Sequence, residues 1–98
     1  MGPEVTVISV EKNDNAETFL VRVDEGGLET EHRVEVPVEF AKRFSAQFSS
    51  SEKLVHASFA FLLQREPPSS ILRSFALPDI SRYFSEYEKE LQDEGSEK

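Results

Sequence analysis

A chain of 98 residues, 38% of them apolar, is long enough to fold as one domain around one core, hiding roughly 60% or more of its unfolded surface without a covalent staple. It contains no cysteine, which excludes disulfides, thiolate catalysis and thiolate-ligated metal. The net charge of −8 disfavours generic affinity for phosphate backbones or anionic membranes.

The charge is unevenly spread. Residues 1–36 hold nine acids against three bases, residues 37–76 three against five, and residues 77–98 seven against three. Both ends are acidic and the middle is mildly basic. The opening MGPEVTVISVEK has neither a basic leader nor a continuous apolar run, so it does not read as a signal peptide, and a cytoplasmic location with no membrane attachment is the expectation.

VTVISV at 5–10 is strand-like, and the NDN at 13–15 tolerates a turn. TFLVRV at 18–23 then alternates, with Phe19, Val21 and Val23 on one face. Asp24-Glu25-Gly26-Gly27 supplies the positive φ that a tight hairpin needs. In the third strand, Leu28, His32, Val34 and Val36 share one side while Glu29, Glu31, Arg33 and Glu35 share the other. Short connections make a three-stranded antiparallel meander the simplest topology.

The first strand is out of phase with itself, because Val5 and Val7 point one way and Ile8 and Val10 the other. Two readings follow from this. A bulge near Ile8 returns Val10 to the core, or Ile8 and Val10 form an exposed apolar strip that a partner can cover.

Pro37 suits the start of a helix, PVEFAKRFSAQF, in which Phe40, Phe44 and Phe48 recur every four residues as a core stripe. Ser49 and Glu52 have capping-box spacing at the head of the next helix, SEKLVHASFAFLLQRE. Its apolar residues fall on most sides of a 3.6-residue period, which marks it as the centre of the core; it is too short to span a membrane. Pro67-Pro68 ends it, and Ser69 or Ser70 is expected to cap a short helix bearing Ile71, Leu72 and Phe75 inward. Leu77-Pro78-Asp79 opens the last helix, with Ile80, Tyr83, Phe84, Tyr87 and Leu91 as its apolar stripe. The expected fold is a single α+β domain over 1–98. Its strands lie near 4–11, 17–24 and 28–36, and about four helices near 38–47, 51–65, 70–75 and 78–92 pack on one face.

The run LVHASFAFLLQREPPSSILRSFALPDISRYFSEYEKEL, residues 54–91, resembles a group of short prokaryotic proteins of unknown function. They share a β-rich start, an apolar helix and an IxRYFxEYE ending. The resemblance implies a common fold and brings no catalytic or binding residue.

Motifs that carry chemistry are absent or incomplete. Ser50 to Lys53 satisfies Ser-x-x-Lys, but the companion elements of penicillin-recognising enzymes are missing and the serines already have a capping role. His32 and His56 lack a ligand partner at helical spacing, and Asp14 and Glu25 lack the intervening ligands of a calcium loop. No catalytic, cofactor or metal residue is assigned. The segments 70–75 and 78–92 trace a helix-turn-helix outline, but the second presents Arg82 among Asp79, Glu86 and Glu88, the wrong charge for DNA.

The reading is therefore a small acidic interaction or regulatory module, not an enzyme. It would contact another protein or itself through the sheet edge at Ile8 and Val10. The alternatives are a nucleic-acid-associated regulator using Lys42, Arg43, Lys53, Arg65 and Arg73, and an enzyme with an unrecognised site.

Overall fold

The computed structural model describes residues 2–95 as a four-stranded sheet with its helices on one face. Strands β1 (Glu4–Lys12), β2 (Ala16–Glu25) and β3 (Leu28–Pro37) form the expected antiparallel meander. The β1–β2 turn is closed by Asn13, whose Oδ1 accepts from the Asn15 and Ala16 amides at 2.8 and 3.0 Å. The β2–β3 turn has Gly26 at φ 63° and Gly27 at φ 87°, the two-residue mirror-image turn that matches strand twist and that β-carbon-bearing residues resist.

Helix α1 (Val38–Arg43) follows Pro37 directly. It is shorter than the 38–47 expected, because Phe44 leaves helical geometry at φ −114° and ψ 18° and turns carry the chain to α2 (Ser51–Leu63). The cap of α2 is Ser50, not Ser49: its hydroxyl accepts from the Lys53 amide at 3.2 Å. As expected, α2 is the centre of the core. Leu54, Val55, Phe59, Phe61 and Leu62 are buried, and only a strip through Lys53, His56, Ala60 and Gln64 faces out.

The expected helix at 70–75 does not form. After a 3-10 turn at Pro68–Ser70 the chain extends, and Ser74–Ala76 becomes strand β4, parallel to β3 with Val34 opposite Phe75. The sheet is mixed, in the order β1-β2-β3-β4, instead of a three-stranded meander. Satisfaction of the backbone explains the change. The buried end of β3 needs hydrogen-bond partners, and the Arg33 amide finds the Arg73 carbonyl at 2.7 Å. A helix between Pro67-Pro68 and Pro78 could not supply them. With the first of its two segments extended, the helix-turn-helix outline is also gone.

The last expected helix is broken. A 3-10 turn at Leu77–Asp79 leads into α3 (Ile80–Tyr83), Phe84 is extended at φ −133° and ψ 96°, and α4 (Tyr87–Gly95) begins anew. The break lets Phe84 and Tyr87 approach the Phe61 ring separately, with centroids 5.8 and 5.2 Å away. It also turns Tyr83 out of the expected stripe, leaving it 68% exposed. Between α2 and α4 a buried polar pair is sealed in: the Tyr87 hydroxyl meets Ser58 Oγ at 2.6 Å, and Ser58 donates to the Leu54 carbonyl at 2.8 Å.

Candidate functional site

Two surfaces combine apolar side chains with geometry that the fold itself does not require. The first is the free edge of β1. A bulge lies between Ser9 and Glu11, one step beyond the expected position near Ile8, and it does not return Val10 to the core. Ile8 is 45% exposed and Val10 47% exposed, while Val7 is buried. Ile8 pairs with Leu20, itself half-buried, so two apolar side chains adjoin on the outer sheet face. On the inner side of the same edge, Pro3, Val5, Ala60 and Leu63 line a shallow groove beside α2 that also includes His56 and Gln64. Glu4 and Glu11 are exposed on the strand, and Glu11 meets Arg33 at 3.5 Å.

The opposite edge differs from expectation. In a three-stranded meander β3 would be the second free edge, but β4 covers it from Arg33 to Glu35. Arg22 on β2 draws Glu29 and Glu31 together, at 3.5 and 2.7 Å. Glu29 and Glu31 thus share one guanidinium on the outer face.

The second surface lies where β4 and α3 meet, and sequence reasoning missed it because it treated 70–75 as helix. A groove of about 220 Å³ opens there, floored by Leu62, Ile71 and Ile80 and walled by Phe75 and Phe84. Leu72, 51% exposed, and Tyr83 stand at its rim. Glu66 and Asp79 are its two charged side chains, and Asp79 is oriented by accepting from the Ala76 amide at 3.1 Å. The signal available in the sequence was the period-two spacing of Phe75 and Leu77 between two proline boundaries, which reads as a strand and leaves Leu72 outside.

The histidines are not brought into a common site. His32 is buried on the inner face of β3, with Val34 and Val36. Its Nδ1 lies 2.8 Å from the Leu72 carbonyl and so donates, its Nε2 lies 2.9 Å from Thr30 Oγ1, and its ring is 5.4 Å from that of Phe59. Burial holds its pKa below the ordinary value. His56 is exposed on α2. Among the described residues no group of three or more His, Cys, Asp or Glu side chains is placed to hold a metal ion.

The proposed basic cluster does not stand free either. Arg43 pairs with Glu88, and Arg65 packs 3.6 Å from the Phe61 ring centroid while reaching Glu86 at 3.1 Å and Glu90 at 3.2 Å. Two of the five bases are thus held by the acidic C-terminal segment. Ser50 and Lys53, the Ser-x-x-Lys pair, are joined through a backbone cap with the serine hydroxyl as acceptor from the Lys53 amide, which is structural chemistry. No protein-family model matches the chain, and neither does any curated protein or solved structure.

Proposed function

We propose that this protein is a non-enzymatic interaction module that takes an extended segment of another protein onto the free edge of β1. The observation that carries the reading is the pair Ile8 and Val10, each nearly half exposed on a nine-residue strand with one neighbour among the described residues. An edge strand presents unpaired amides and carbonyls, and main-chain pairing with alternate side-chain contacts is the common mode by which such edges bind. The regular stretch before the bulge, Glu4 to Ser9, is the segment available for pairing. Glu4, Glu11 and the net charge of −8 favour a partner strand that is basic, with an apolar residue placed to meet Ile8.

A nucleic-acid role is less well supported, since Arg43 and Arg65 are engaged by glutamates and the recognition-helix outline is absent. No described helix is long and apolar enough to cross a bilayer. A cytoplasmic setting and kinship with the short prokaryotic proteins that residues 54–91 resemble belong to the same proposal.

The test is Ile8→Lys. Because Ile8 lies on the outer face, the variant should keep its circular dichroism spectrum and unfolding midpoint while losing association measured by light scattering or partner pull-down. A folded variant whose association is unchanged refutes the reading.

A further inference from the structure

The groove between β4 and α3 is independent of the β1 edge, and its composition is selective. Four features coincide in about 220 Å³: an aliphatic floor, the aromatic rings of Phe75, Tyr83 and Phe84, two carboxylates, and no basic side chain. The carboxylate of Glu66 makes no hydrogen bond or ion pair with any described residue. Asp79 is fixed by the Ala76 amide, so one anionic group is preset and the other is free to meet a ligand. Tyr83 and Leu72 are the two large apolar side chains at the rim, and the fold gives neither a packing partner that would hide it.

We propose that this groove binds a small organic cation, an alkylammonium or quaternary ammonium group carried on a short apolar body. Aromatic faces attract such cations through the ring quadrupole, and they do so most strongly where water is partly excluded. The carboxylates add Coulomb attraction at short range, strengthened by the low-dielectric walls. An anion would meet Glu66 and Asp79 without a counter-charge. A neutral apolar ligand would use the floor and leave the free carboxylate unanswered. The size agrees: drug-sized ligands fill roughly 300 to 1,000 Å³, so a smaller groove suits a single ammonium head group.

The experiment is a nuclear magnetic resonance titration of the intact, isotope-labelled protein with choline and, in parallel, with 3,3-dimethylbutan-1-ol, the uncharged carbon isostere. Choline should move the amide signals of Leu72, Phe75 and Tyr83 and bind about tenfold more tightly than the alcohol. Glu66→Gln should weaken choline several-fold and leave the alcohol unchanged, with the rest of the spectrum intact because Glu66 supports no other group. Tyr83→Leu, which keeps an apolar rim and removes the π face, should do the same. Equal binding of the two probes overturns the proposal in favour of a merely apolar slot. So does a shift pattern away from β4 and α3, or the absence of any shift at concentrations where choline saturates exposed aromatic cages.

Discussion

Replacement of Ser58 by alanine should cost more than replacement of Tyr87 by phenylalanine, although the two hydroxyls share one hydrogen bond. Both groups are buried, at the seam of α2 and α4. Ser58 Oγ donates to the Leu54 carbonyl at 2.8 Å, which leaves Tyr87 as the donor in the 2.6 Å bond between the hydroxyls. Removing the phenol oxygen leaves Ser58 still satisfied by its own helix, so Tyr87→Phe forfeits a net bond worth about 0.5 to 1.5 kcal/mol. Removing the serine oxygen strands a desolvated phenol, and Ser58→Ala should cost about 1 to 3 kcal/mol. Burial already pushes the Tyr87 phenol pKa well above its ordinary value, a sign of how dry the site is. The double variant should fall close to Tyr87→Phe, since the orphaned group is then gone, giving a coupling energy between the sites. Urea titrations followed by circular dichroism measure all four proteins. For a domain of this size each kcal/mol also moves the melting midpoint by roughly 4 to 8 °C. Equal losses for the two single variants, or strictly additive losses in the double, would refute the assigned donor direction and the dryness of the seam.

Phe59→Ala should destabilise by about 3 to 5 kcal/mol, because Phe59 is fully buried on α2 beside His32 and Phe75; a loss under about 1 kcal/mol in chemical denaturation would displace α2 from the centre of the core. Stability should depend on pH through His32. Its folded pKa is lowered, first by burial and further by Arg73 against the opposing Leu72 carbonyl bond, so the unfolded chain binds the proton more readily. The stabilisation is therefore complete above the unfolded value of about 6.5 and is lost as pH falls below it. A His32→Gln variant should flatten that slope below about pH 6.5, and an unchanged slope would show that another group carries it.

The sequence by itself determined the elements whose causes are local. Alternation of Phe19, Val21 and Val23, and of His32, Val34 and Val36, set the faces of two strands, and Gly26-Gly27 set the turn between them, because side-chain period and backbone freedom are properties of neighbouring residues. The apolar surface of α2 likewise announced a core helix. What followed Pro67 was decided elsewhere in the molecule. Ser74–Ala76 is a strand because the buried end of β3 required a partner about forty residues away in sequence, a demand that no local propensity records. Phe84 breaks the final helix because the Phe61 ring, more than twenty positions earlier, offers contacts that a straight helix could not all make. The two candidate sites divide the same way. The phase conflict of Ile8 and Val10 was legible in their spacing, whereas the groove beneath Leu72 and Tyr83 exists only because β4 and the break at Phe84 bring Phe75, α3 and Phe84 against α2, so tertiary structure alone placed its carboxylates beside its rings.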